Sequence, residues 1–166
     1  MDEISDLIQE LNRSRGYTNM LLNTIDKVDW FRQPSEGVSH IAWQVGHLAV
    51  AQYRLALLVV RGPQPDDEQL ISESFINRFQ PGSVPDPTPH HNPSVGEIRD
   101  VFNRVHSQTV SETQKLPHDR LNEPISFEHP MFSTKSGAIR WSAQHEYTHA
   151  GQISLLRRLL GYAPLW

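Results

Sequence analysis

Two histidines, His145 and His149, stand four residues apart in the run Gln144-His145-Glu146-Tyr147-Thr148-His149-Ala150-Gly151-Gln152. In a helix, four residues turn through about 400°, so both imidazoles leave one face, one turn apart, and both can reach one metal ion. They lie on the stripe Ala138, Trp141, His145, His149, Gln152, Ile153, Leu156 and Leu160, and so point inward. A buried imidazole needs hydrogen bonds or a ligand. A single such ring is usually a satisfied core residue, whereas a pair at this spacing favours a metal.

The same run fits the His-Glu-x-x-His pattern of zinc proteases, which take their third ligand from downstream. Ala150 to Trp166 contains no Asp, Glu or His, so here the third ligand is expected upstream, in an order unlike that class. His47 is available. It falls mid-way along a second helical stripe, beside Gly46, whose missing side chain allows close approach of another helix. On spacing alone His47 is either the third ligand or a packed core histidine. Three nitrogens on one side of an ion leave the other side open for water or substrate. Glu146, about 100° off the stripe, is either a general base or an edge carboxylate. Gln152, one turn beyond His149, is placed to orient a ligand or a water on the metal. Trp43, Tyr53, Trp141 and Tyr147 are either pocket walls or core. His40 lies too far along its helix from His47 to share an ion, and His90, His91, His106, His118 and His129 are weaker ligand candidates.

Four segments have the period needed to hold these residues. The first, roughly Asp2 to Val28, repeats Ile4, Leu7, Ile8, Leu11, Thr18, Leu21, Leu22 and Ile25 at spacings of three and four. The second spans Ser39 to Arg61, with Ser39 as the expected N-cap and Gly62-Pro63 as the stop. The third opens on Ser94 and Glu97, a capping box, and ends at Pro117. The fourth begins near Thr134 to Gly137 and runs to Leu160, ahead of Gly161 and Pro164. Residues 62–93 hold seven of the twelve prolines, with a short helix expected over Leu70 to Phe79. A connection that long lets the second and third helices run parallel. Ile125 and Phe127 alternate briefly in the loop 117–133. The expectation is an all-α fold: a single domain over residues 1–166, a four-helix bundle with a long crossover between helices 2 and 3.

Composition narrows the function. There is no cysteine among the 166 residues, which removes disulfides, thiolate zinc sites, iron–sulfur clusters and a cysteine nucleophile. A net charge of −4 with no basic run argues against nucleic-acid and anionic-membrane partners. The longest apolar stretch, Leu55 to Val60, is far short of a membrane span, and Met1-Asp2-Glu3-Ile4 does not read as a signal peptide. A cytoplasmic protein acting on a small molecule is expected.

The segment Trp43-Gln44-Val45-Gly46-His47-Leu48, the run from His145 to Ile153 continuing to Leu156-Arg157-Arg158 and Leu160-Gly161, and four helices in this order resemble the DinB/YfiT-like superfamily of metal-dependent enzymes. The resemblance spans nearly the whole chain. It implies a four-helix bundle with a long crossover, a metal triad of His47, His145 and His149 binding nickel or zinc, and a homodimer. It also implies either hydrolysis or S-transfer with a low-molecular-weight thiol as co-substrate. Many relatives carry Arg after the last histidine, where this chain has Ala150. The alternative is a non-catalytic dimeric bundle that binds a metal or a small molecule.

Overall fold

The computed structural model describes residues 2–166. Four long helices dominate. Helix α1 is Glu3–Leu22. Helix α2 starts as Ile41–Gln52, passes through a π-helical stretch, Tyr53–Leu58, and ends with Val59–Arg61. Helix α3 is Val95–Lys115 and helix α4 is Lys135–Leu159. Among the described residues the only β pairing is an isolated bridge between Pro124 and Thr134, where Ile125 and Phe127 had suggested alternation.

The capping box predicted at α3 forms, and α4 starts where its pattern begins. Ser94 accepts from the Glu97 amide while the Glu97 carboxylate accepts from the Ser94 amide, and Thr134 caps α4 through the Gly137 amide. At α2 the expected Ser39 cap is replaced by His40. Its Nδ1 accepts the Trp43 amide at 3.0 Å and its Nε2–H donates to the Asp86 carbonyl at 3.0 Å. Both ring nitrogens of His40 are thereby used. Helix α1 stops at Leu22, short of the Val28 that its period suggested. The cause is tertiary: Arg157 donates to Thr24 Oγ1, and the Tyr162 hydroxyl accepts from the Asp26 amide and donates to Asp29. These bonds draw residues 24–29 away from the helix axis.

Cross-helix pairs fix the directions. Along α2 and α3, Gln52 meets His106 and Arg61 meets Glu112, so these two helices run parallel. Along α1 and α4, Glu10 pairs with Arg140, Arg15 with Glu146 and Thr24 with Arg157, so they too run parallel. Between the pairs the order reverses: Gln44 meets His149 while His47 meets His145. The crossover makes this topology possible. The expected helix over 70–79 appears as two short pieces, Asp67–Leu70 and Glu73–Phe79, because Ile71 is extended and Ser72 caps a new start.

The core has two apolar clusters. One gathers Leu21, Trp30, Phe79, Phe102 and Ile153; the other gathers Ile4, Leu7, Leu11, Ile139 and Ala143. Arg15 and Glu146 lie between them along α1 and α4, and both are buried. Arg15 Nε and Nη2 grip Glu146 at 2.9 and 3.2 Å; Nη1 donates to the Phe102 carbonyl at 2.7 Å and Nη2 to Gln52 Oε1 at 2.9 Å. The guanidinium also stacks 3.3 Å from the Phe102 ring centroid. One side chain thus ties all four helices together.

Candidate metal centre

Helices α2 and α4 bring His47, His145 and His149 together, each offering a ring nitrogen within 4.8 Å of the others. His47 and His149 are buried and His145 is half-buried. His145 Nε2 lies 3.3 Å from His47 Nε2. Two imidazole nitrogens bound tetrahedrally to one ion at 2.0–2.1 Å stand roughly 3.3–3.4 Å apart. That pair therefore already has the separation a shared ion requires, and the His149 nitrogen lies within 4.8 Å of both.

Outer partners set which nitrogen faces inward. His47 Nδ1–H donates to the Phe79 carbonyl at 3.0 Å. His149 Nδ1–H donates to Gln44 Oε1 at 2.6 Å, and Gln44 Nε2 donates to Ser39 Oγ at 3.0 Å. With both Nδ1 atoms protonated, the Nε2 lone pairs of His47 and His149 are left for a ligand, the arrangement typical of metal-bound imidazole. Without an ion, two lone pairs 3.3 Å apart would repel, so His145 Nε2 must carry a proton toward His47 in that state. Trp43 lies flat on His47, 4.8 Å between centroids and 7° between planes, and its indole N–H donates to Ser83.

Burial holds the rings neutral. It is the main cause pushing His145 down to about 4 and His149 down to about 3, with the other histidines of the cluster adding to it; burial lowers His47 as well. Neutral imidazole is the ligand form. His106, on the opposite side of α2, is pushed down to about 3 by burial and then by Arg15. In the unfolded chain these rings titrate near 6.5. Below that pH the unfolded state takes up protons that the native state refuses, so stability is full above about 6.5 and falls as the pH drops toward 4. Urea midpoints of the metal-free protein at pH 7.5 and 5 should show this loss, and a His106→Gln variant should lose less.

Gly46 admits the crossover. A Cβ on Gly46 would lie 2.4 Å from Phe79 Cγ, so it is the Phe79 ring, from the short crossover helix, that uses the space beside His47. Gly46→Ala should displace Phe79, lower stability by about 1–3 kcal/mol as overpacking does, and loosen the carbonyl that orients His47. Chemical denaturation and metal titration of that variant check both effects.

The remaining expected site residues lie apart from the cluster. Glu146 is neither at the edge nor aimed at the histidines; its carboxylate is held in the core by Arg15. Gln152 is exposed. Tyr53 is bonded to Asp67, and Tyr147 lies exposed beside Tyr17. Trp141 stays near, with its ring 6.3 Å from that of His145. Sequence reasoning missed Gln44 and the Phe79 carbonyl. A polar Gln44 on the inward stripe of α2, one turn before His47, was the available signal for the first; a backbone carbonyl from the crossover leaves no signal in sequence.

A search of curated proteins finds none that matches the chain. Among solved structures the chain is similar to YfiT from Bacillus subtilis, described as a probable metal-dependent hydrolase with an unusual four-helix bundle topology. The two share 15% identity at a TM-score of 0.60, over 96% of this chain and 89% of that one, a likeness of fold. The family model of the DinB superfamily matches residues 10–153, a span that contains all four helix cores and all three histidines, and the chain belongs to that superfamily.

Proposed function

We propose that this protein is a metal-dependent enzyme whose divalent ion, zinc or nickel, is held by His47, His145 and His149. The observation that carries the reading is the convergence of three neutral imidazoles, two of them fixed by Phe79 and Gln44 with Nε2 facing inward. When bound, such an ion supplies Lewis acidity that brings a coordinated water or thiol toward ionisation near neutral pH. The residues do the rest. His47 and His149 arrive preoriented, His145 frees its Nε2 by passing to the Nδ1–H tautomer through proton exchange with solvent on its half-exposed side, and Trp43 shields the His47 face from water. The description of YfiT as a probable metal-dependent hydrolase supports hydrolysis as the first reaction to test. Because the chain has no cysteine, thiol chemistry would use an added low-molecular-weight thiol. Glu146 and Gln152, the acid and amide expected beside the ligands, do not enter the proposed chemistry.

Three protein ligands leave room for exogenous ones, whereas structural zinc sites are closed by four. Cobalt-loaded protein should therefore change its visible spectrum on adding azide or a small thiol. An unchanged spectrum would identify a closed, structural site and favour the non-catalytic alternative. A homodimer is supported by the exposed line Tyr147, Leu155 and Leu159 on α4, and light scattering tests it. No helix among the described residues is long and apolar enough to cross a membrane.

A further inference from the structure

The loop between α3 and α4 borders a hollow of about 700 Å³ that is largely open to solvent, a volume within the range of small-molecule sites. Its walls are Pro124, Ile125, Phe127, His129, Pro130 and Phe132, and Glu128 is the one charged residue lining it. The rings are ordered against one another. His129 stacks on Phe132 at 4.0 Å, and Phe127 stands nearly perpendicular to both, at 6.5 and 6.3 Å. Phe127 is nonetheless about half exposed, at 48%.

One face of α4 runs from the hollow toward the metal centre. Phe132 is buried against the first turn of α4, where a Cβ on Gly137 would come within 3.0 Å of it. Gly137, Trp141, His145 and His149 then follow at intervals of four, one face of α4. The rings continue along that face, His129 to Trp141 at 6.4 Å and Trp141 to His145 at 6.3 Å. Eight residues of helix separate Gly137 from His145, about 12 Å.

We infer that this hollow holds the aromatic end of an elongated substrate whose reactive group lies against His47, His145 and His149. Edge and face contacts from Phe127, His129 and Phe132 suit a flat unsaturated ring. With no lysine or arginine in the wall and Glu128 beside it, an anionic tail is disfavoured. Trp141 is the positioning residue between ring and reactive group. The inference rests on the metal-dependent reading for where the substrate reacts, but the ring site itself does not need the ion.

Hydroxamates, which chelate a metal through one end, test it. Zinc-loaded protein of measured metal content is titrated with acetohydroxamate, with alkyl hydroxamates, and with a series carrying a phenyl group on tethers of increasing length. Affinity should rise by about tenfold or more once the tether reaches the hollow. Phe127→Ala should abolish that gain while keeping its metal and its affinity for acetohydroxamate. Equal affinity for phenyl and alkyl members of the same length, or a gain that survives Phe127→Ala, overturns the inference. A second arm is independent of metal: indole added to metal-free protein should shift the resonances of Phe127, His129 and Phe132. If no hydroxamate binds but indole shifts those resonances, the metal reading fails and the ring site stands. Absence of the indole shifts overturns the ring site.

Discussion

Arg15→Met is expected to destabilise the protein by about 3–5 kcal/mol, the loss that follows when a buried ion pair is broken on one side only. Glu146 is 2% exposed and takes both of its charged contacts from Arg15, so the variant would leave a carboxylate in the core with no cation. The Phe102 carbonyl and Gln52 Oε1 would each lose a donor at the same time. Burial pulls the Arg15 pKa down and the Glu146 carboxylate opposes that pull. The double variant Arg15→Met/Glu146→Leu removes both charges and should recover most of the loss. Denaturant midpoints of the wild type, both single variants and the double variant give the coupling directly. If the double variant were as unstable as the single one, the node would matter through its bonds to Phe102 and Gln52 and not through its charge.

His149→Leu should behave in opposite ways with and without metal. In chelator-treated protein the change exchanges a desolvated imidazole for an apolar side chain, at the loss of one hydrogen bond to Gln44 worth about 1 kcal/mol. The net change in stability should be small. With an ion present at about a thousand times its dissociation constant, the wild type gains about 4 kcal/mol by mass action, a rise of roughly 10 °C in Tm for a domain of this size. The variant should gain little of it. Thermal melts of both proteins with chelator and with zinc distinguish a metal ligand from a packing residue. An equal rise in the two would remove His149 from the ligand set.

The helical stripes, the capping box at Ser94 and the long crossover could be read because each is written in local spacing. So could the pairing of His145 with His149, which one helix turn enforces. What could not be read depends on contacts between distant segments. Helix α1 ends early because Arg157 and Tyr162, at the other end of the chain, bind residues 24–29. Glu146 lies one residue from His145 and looks like a base, yet Arg15, 131 positions earlier, takes it into the core. Gly46 promised close approach, and only the fold shows that the approaching group is Phe79. The π-helical stretch after Gln52 has no cue in the residues Tyr53–Leu58.

The most direct test of the account is the metal content of untagged protein by mass spectrometry, alongside His145→Ala/His149→Ala. About one zinc or nickel per chain in the wild type, lost in the folded double variant, is the predicted result. Wild-type protein that stays metal-free after reconstitution with either ion would contradict it, leaving a bundle whose three histidines are held by hydrogen bonds alone, His47 to the Phe79 carbonyl and to His145, and His149 to Gln44.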